Sequence, residues 1–131
     1  MNENDITYKI RGCVYDVYNE IGPGALESVY EEALSYEIEQ AGLKVDRQVS
    51  VPIIYKGQHL ANDLRLDLIV EDKVIVEIKA VQELQPVHYK QLYSYLKLAD
   101  KKIGLLVNFY VANIFDGMKT VYAKDPTFNK K

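Results

Sequence analysis

The stretch that decides the fold is "RLDLIVEDKVIVEIKA", residues 65–80, in which two mostly apolar runs flank a short polar break. The alternation of side chains along these runs predicts two strands joined by a tight turn at "EDK", residues 71–73. Asp67, Glu77 and Lys79 interrupt the otherwise apolar strands. Because a buried charge is costly unless it is paired or binds an ion, these charged residues are expected either to pair with one another or to bind an ion.

The period of two assigns the side chains of each strand to opposite faces. The two strands are predicted over residues 60–70 and 74–80. The charged faces hold Arg65 and Asp67 in the first strand, and Ile75, Glu77 and Lys79 in the second. The apolar faces hold Leu60, Leu64, Leu66, Leu68 and Val70 in the first strand, and Val74, Val76, Ile78 and Ala80 in the second.

The remaining segments alternate between helical and strand periods, and their order predicts an α/β fold with a small mixed β-sheet flanked by helices. "GPG" at 22–24 and Gly42 are expected to end the first two helices, and Pro52 indicates an edge or bulge position. The further predicted elements are helices over 5–21, 25–41 and 86–98, strands over 43–55 and 102–110, and a hairpin around Asp116-Gly117.

Apolar residues at steps of three and four are expected to turn the first two helices towards the core. These residues are Ile6, Ile10, Val14, Val17 and Ile21 in the first helix, and Leu26, Val29, Tyr30, Ala33, Leu34 and Ile38 in the second.

Length and composition favour one domain over residues 1–131, with a loose tail from about 124 to 131. No apolar run approaches the roughly 18–20 residues that cross a bilayer, so no membrane association is expected. The single cysteine, Cys13, fits a reducing compartment, and a cytoplasmic location is expected. The net charge of −3 argues against a protein that coats nucleic acid through bulk electrostatics.

The charged residues of the hairpin suit a divalent metal ion. If the two strands are neighbours, Asp67 and Glu77 come close together, and Lys79 lies beside Glu77 on the same face. Two carboxylates, with the backbone carbonyl of Ile78 as a further oxygen, suit Mg²⁺ or Mn²⁺. Such a metal neutralises phosphate charge, and the lysine can orient water or stabilise developing charge. The alternative interpretation is an ion pair between strands on a solvated face, involving Lys79 or Arg65.

The spacing Asp67…Glu77-Ile78-Lys79 resembles the core motif of the PD-(D/E)XK nuclease superfamily. Leu66 precedes the aspartate where the motif has proline, a departure that many members share. The resemblance implies a restriction-endonuclease-like α/β core. It also implies Mg²⁺-dependent or Mn²⁺-dependent hydrolysis of phosphodiester bonds in nucleic acid, with DNA as the expected substrate.

A second resemblance covers most of the chain, from about residue 6 to 115. "GALESVY", residues 24–30, contains Gly24-x-x-Glu27-x-x-Tyr30, which is similar to the signature of the GxxExxY protein family. "VEIKAVQELQPVHYKQLYSYL" and "GLLVNF" resemble the second half of that family.

These resemblances imply a role for each matching position. Asp67 and Glu77 would ligate the metal together with the Ile78 carbonyl, and Lys79 would be the catalytic lysine. Glu27 corresponds to an extra catalytic acid that many members supply from the helix before the sheet, with a contact to the metal through water.

Three further residues are expected to contact the substrate. Gln91 and Tyr95 are similar to a Gln-x-x-x-Tyr helix motif that lies beside the catalytic site and the substrate backbone in RecB-like branches. Arg65 is expected to meet a phosphate.

The competing hypothesis is a noncatalytic module that keeps the nuclease fold and binds a partner protein or nucleic acid. The acidic balance and the expected lack of a separate DNA-binding domain favour it. The small surface for sequence recognition makes a homodimer or a protein partner an open alternative. The complete set of Asp67, Glu77 and Lys79 favours the enzyme.

Overall fold

The computed structural model describes residues 1–124. Its four helices are α1 (Glu3–Ile21), α2 (Glu27–Gln40), α3 (Pro86–Ala99) and the one-turn α4 (Ile114–Gly117). Its strands are β1 (Val45–Val51), β2 (Ile54–Tyr55), β3 (Gln58–His59), β4 (Leu64–Val70), β5 (Val74–Lys79), β6 (Ile103–Asn108) and β7 (Met118–Tyr122).

Five of the strands form one mixed sheet in the order β1-β4-β5-β6-β7, while β2 and β3 form a separate hairpin. Only the β5–β6 pair is parallel, and α3 provides the connection between these two strands. The other neighbours in the sheet are antiparallel. The predicted α/β architecture, a small mixed sheet flanked by helices, is confirmed.

The helices α1 and α2 cover one face of the sheet, and α3 covers the other. Tyr30 of α2 stacks on Phe109 with ring centroids 4.2 Å apart, and its hydroxyl accepts a hydrogen bond from the Ala25 N–H. On the opposite face, α3 packs so closely that a Cβ at Gly104 would lie 2.8 Å from Leu92. All six residues of β6 are buried, so this strand is covered on both faces.

The central hairpin closes at a turn whose middle residues, Glu71 and Asp72, both have positive φ. The Lys73 N–H donates to the Val70 carbonyl across this turn at 3.0 Å. The tight connection at 71–73 is therefore confirmed, and it brings β4 and β5 side by side.

The prediction of one strand over 43–55 is wrong. The strand β1 ends at Val51 because Pro52 has no N–H to continue the ladder. Ile54 and Tyr55 pair instead with β3 across Lys56 and Gly57, both of which have positive φ.

The predicted start of the next strand at residue 60 is also wrong. The strand β4 begins at Leu64, after a bend at 61–62, and Leu60 lies outside it with 38% of its surface exposed. The prediction that its apolar residues share one face fails as well. Leu64 and Leu66 pack on the α3 side, whereas Leu68 and Val70 pack on the α1/α2 side.

The physical reason for this change of face lies in an irregularity shared by β1 and β4. Gln48 has φ +48°, and it lies opposite Asp67 between two regular cross-strand pairs. Val45 packs on the α1/α2 side while Val49 packs on the α3 side, so β1 changes face at the same point. A strict period of two cannot predict such a kink.

The prediction of a hairpin turn at Asp116-Gly117 is wrong. Residues Ile114–Gly117 form the single turn α4, which leads into β7 antiparallel to β6. Gly117 is required there because a Cβ would lie 2.2 Å from the Asn108 carbonyl oxygen.

Replacing Gly117 with alanine is expected to destabilise the protein by about 1–3 kcal/mol, because the clash is with backbone that cannot rotate away. The matched control is Gly12→Ala on α1, where a Cβ meets nothing within 4 Å and helix propensity gains up to about 1 kcal/mol. Urea unfolding followed by circular dichroism measures both changes. Equal stability of the Gly117→Ala variant and the wild type would contradict the close approach.

Three apolar residues that were expected to face the core are exposed: Ile21, Leu26 and Val29.

The helices α1 and α2 end close to their predicted bounds, and Gly22 and Gly42 follow them with positive φ. Among the helices of residues 1–124, none has the length and apolar character needed to cross a membrane. The predicted loose tail lies outside the described residues apart from Lys124.

Candidate active site

The strands β4 and β5 separate in the middle of the sheet. Their ladder runs from the turn only as far as the pair Leu68↔Val76. The strand β4 nevertheless remains paired with β1 as far as Val51↔Leu64. The two central strands therefore form a fork. They are paired next to the turn, and they diverge before Leu68 in β4 and after Val76 in β5.

Two carboxylates occupy this fork. The Asp67 N–H donates to Glu77 Oε2 at 2.9 Å, and the Ile78 N–H donates to Asp67 Oδ2 at 2.9 Å. Each carboxylate thus accepts a hydrogen bond from a backbone N–H of the opposite strand. In a regular ladder, a backbone carbonyl of that neighbouring strand would accept this hydrogen bond instead. One oxygen of each carboxylate is engaged in this way.

Burial and mutual repulsion disfavour two charges in the fork. Burial, followed by the nearby charge of Asp67, raises the pKa of Glu77 to about 8. Burial is also the largest cause that raises the pKa of Asp67, with smaller contributions from Glu31 and Glu27. The backbone hydrogen bonds and Lys79 act in the opposite direction but do not cancel the shifts. Such a pair is stabilised by a cation.

Lys79 and two residues of α3 form a polar chain beside the fork. The Lys79 ammonium donates to Gln91 Oε1 at 3.4 Å. Burial, then the charges of Glu77 and Asp67, raises the pKa of Tyr95, and Gln91 lies close enough to the Tyr95 hydroxyl to lower that pKa in part. The spacing of four residues on α3 therefore brings both side chains to the carboxylates.

The alternative of a structural ion pair finds no support in the geometry. Within residues 1–124, neither Asp67 nor Glu77 has an ion pair within 4.0 Å with Lys79 or Arg65. The lysine is held by an amide oxygen instead of a carboxylate. This arrangement leaves the two acids to share the fork without a direct cationic partner.

The donor set of the fork fits a hard divalent cation with few protein ligands. The Ile78 N–H points towards β4, and the N–H and C=O of a strand residue point to the same side, so its carbonyl also points there. Among the described residues, no group of three or more His, Cys, Asp or Glu is arranged to hold a metal. Two carboxylates with carbonyl oxygen and water are sufficient for Mg²⁺.

Glu27 lies at the end of β5 and not between the two carboxylates. It is the first residue of α2, and its Oε2 accepts a hydrogen bond from the Ala80 N–H at 3.1 Å. Its charge contributes to the raised pKa of Asp67. The side chain is thus near enough to act electrostatically on the fork.

Arg65 does not join this group of side chains. It is exposed on β4, opposite Ser50 of β1, and no hydrogen bond or ion pair ties its side chain to residues 1–124. Its predicted contact with a phosphate stays a prediction.

The sequence analysis missed a buried acid one turn after Glu27. Glu31 accepts hydrogen bonds from Gln48 Nε2 at 2.6 Å and from the Arg47 guanidinium at 3.2 Å, and its charge acts on Asp67 and Glu77. This interaction ties α2 to the kink of β1. Glu31 lies three residues before Leu34 and seven before Ile38, both of which face inward, so helix periodicity could have predicted its burial.

Asn108 was also missed, and it fixes the chain that follows Lys79. It is 2% exposed at the end of β6, where its Nδ2 donates to the Val81 carbonyl and its Oδ1 accepts from the Val81 N–H. Oδ1 also accepts from the Tyr110 N–H. A polar residue that ends an all-buried strand was the signal for this role.

The comparisons with known proteins agree with the geometry. The sequence model of a family described as the PD-(D/E)XK nuclease superfamily matches residues 4–121. No curated protein matches the chain. The matched residues include both strands of the fork together with α2 and α3, and a mixed sheet flanked by helices fits a restriction-endonuclease-like fold.

Proposed function

This chain belongs to the PD-(D/E)XK nuclease superfamily, and on that premise we propose that it is a Mg²⁺-dependent nuclease acting on DNA. The observation that carries the proposal is the fork, in which Asp67 and Glu77 meet beside Lys79. Nucleases of this superfamily typically use divalent metal ions. Of the metals that such donors accept, Mg²⁺ and Mn²⁺ both prefer oxygen ligands.

The residues that would hold the metal are Asp67, Glu77 and the carbonyl of Ile78, with Glu27 acting through water. A divalent cation bound there supplies charge stabilisation for a phosphate and lowers the pKa of water. Because the raised pKa of Glu77 has burial and Asp67 as its main causes, added positive charge favours its ionised form.

Lys79 carries the protein's own contribution to the reaction. Its ammonium is held by Gln91 beside the carboxylates, where it can orient the attacking water or stabilise the charge that develops on the phosphate. Tyr95 lies beside this amide, four residues after Gln91 on α3.

The substrate backbone would pass along α3, where Gln91 and Tyr95 are available as hydrogen-bonding partners. Arg65 would take a phosphate farther along β4. DNA is the proposed substrate, and the net charge of −3 means that binding relies on these local groups and the cation.

Finer assignments follow from the same residues. The motif Gly24-x-x-Glu27-x-x-Tyr30 supports a place in the GxxExxY protein family. The buried thiol of Cys13 fits a reducing compartment, which supports a cytoplasmic location. We propose that residues 1–131 form one domain.

The function is tested by incubating labelled single-stranded and double-stranded DNA and RNA with the full chain and Mg²⁺ or Mn²⁺. The expected result is cleavage of DNA that a chelator abolishes and that excess Mg²⁺ restores. Saturable binding of nucleic acid without cleavage of any substrate would contradict the enzyme and favour the noncatalytic module.

A further inference from the structure

The outer side of the helix pair carries an open apolar groove of about 450 Å³ between α1 and α2. Three of its lining residues are large apolar or aromatic side chains that remain in solvent: Ile21 is 37% exposed, Val29 42% and Tyr36 61%. These residues do not complete the core, because the inward stripe of α2 is already formed by Tyr30 and Leu34, both fully buried. The groove is therefore a second apolar surface on the same helix.

Acidic side chains border this groove on both helices. Asp16 and Glu20 of α1 and Glu32 and Glu37 of α2 line it, and no Lys, Arg or His of the described chain does so. None of these four carboxylates has an ion pair with a basic residue in the range 1–124. Burial raises the pKa of the Cys13 thiol to about 11, with smaller contributions from Glu37 and Asp16 and an opposing one from Lys9.

The groove and the fork use different sides of α2. Glu27 contacts Ala80 just after β5, and Glu31 contacts the kink in the middle of β1. Val29, Glu32 and Tyr36 line the groove instead. Positions 29, 32, 33 and 36 follow the spacing of a single helix face. An occupant of the groove would therefore leave the carboxylates of the fork accessible.

We propose that this groove binds a basic amphipathic segment of a partner protein, with apolar side chains against Val29 and Tyr36 and Lys or Arg against the acidic rim. The groove has an apolar floor and a rim of four carboxylates without ion pairs, so it complements such a segment in both shape and charge. Nucleic acid and an anionic lipid surface carry the same sign of charge as the rim, so both are repelled. A second copy of the chain would place one acidic rim against another.

The length of the groove limits the size of the segment. Tyr36 lies seven positions after Val29 on α2, which corresponds to about 10 Å at a rise of 1.5 Å per residue. About two helical turns of the partner cover this distance, with anchors at positions i, i+3 or i+4, and i+7.

The proposal is tested with a synthetic amphipathic helical peptide of leucine and lysine, about two to four turns long, titrated into the full chain by fluorescence anisotropy. The wild type is expected to bind it saturably, and Glu32→Lys is expected to weaken binding by at least about tenfold. The matched control is Glu39→Lys, which makes the same charge change on an exposed part of α2 outside the groove and is expected to leave binding within about twofold.

The apolar part of the contact is tested in the same way. Tyr36→Ser is expected to weaken binding by at least about tenfold, whereas Tyr55→Ser, at an equally exposed tyrosine of β2, is expected to have no effect. Circular dichroism spectra that match the wild type confirm that each variant is folded.

Three outcomes would overturn the proposal. The first is the absence of saturable peptide binding to the wild-type chain. The second is equal weakening by Glu32→Lys and Glu39→Lys, which would indicate attraction to net charge alone. The third is a wild-type dimer in sedimentation equilibrium that Tyr36→Ser converts to a monomer, which would assign the groove to a second copy of the chain.

Discussion

Replacing Lys79 with alanine is expected to lower the rate of DNA cleavage by at least about 10²-fold while metal affinity changes by no more than a few-fold. The ammonium lies beside the fork but is held by Gln91 and not by a carboxylate. Its removal takes away a preorganised donor for charge that develops in the transition state, and a single donor of this kind contributes about 10²–10³ in rate. Single-turnover cleavage at saturating Mg²⁺ measures the effect.

The control for this change is Lys90→Ala, an exposed lysine of α3 next to Gln91 in sequence. It is expected to keep the wild-type rate to within about twofold, because it removes the same charge away from the fork. Cleavage by Lys79→Ala at the wild-type rate would assign the lysine a purely structural role.

The second large effect is a loss of stability of the metal-free protein as the pH rises. The pKa of Glu77 rises from 4.5 to about 8 on folding. Between these values the unfolded chain gives up the proton that the folded chain keeps, so the free energy of unfolding falls with pH. Below about pH 4.5 both states keep the proton and no stability is lost, whereas above about pH 8 the loss is complete. At about 1.4 kcal/mol per unit of pKa, the loss is on the order of 3–5 kcal/mol.

Glu77→Gln is expected to remove most of this pH dependence, because the amide keeps an oxygen for the Asp67 N–H but cannot ionise. In the presence of chelator at pH 8, this variant should be more stable than the wild type, and added Mg²⁺ should stabilise only the wild type. Urea unfolding from pH 4.5 to 8.5 measures both. If the free energies of unfolding of the two proteins changed with pH in the same way, the raised pKa of Glu77 would be contradicted.

The hairpin and its acids could be predicted from the sequence because local alternation carries that information. Asp67, Glu77 and Lys79 stand out as charges in an apolar run, and the turn at 71–73 follows from three consecutive polar residues. The helices α1 and α3 follow from their period in the same way.

Features that depend on contacts between distant segments could not be predicted. The kink at Gln48 rests on a positive φ that glutamine does not signal and on a hydrogen bond to Glu31, 17 residues away in sequence. That kink, with Asp67 opposite it, moves Leu64 and Leu66 to the other side of the sheet. The position of Arg65, away from the fork, is part of the same change of face.

The exposed stripe on α2 has a related explanation. The apolar residues of α2 cover a sector too wide to indicate which part of it faces the sheet, so the sequence predicts that Val29 and Tyr30 both face inward. The stacking of Tyr30 on Phe109 places this side of α2 against the sheet, and the contact joins residues that are far apart in the sequence.

Calorimetric titration of Mg²⁺ into the full chain and into Asp67→Asn tests the central claim, that the fork between β4 and β5 is a divalent-metal site, most directly. The wild type is expected to bind Mg²⁺ saturably, and the variant is expected to bind at least about 100-fold more weakly, since loss of even an outer partner of a metal ligand costs 10–100-fold. Asp63→Asn, an exposed aspartate just before β4, is the control and should bind like the wild type. Equal Mg²⁺ affinity in the wild type and Asp67→Asn would contradict the site.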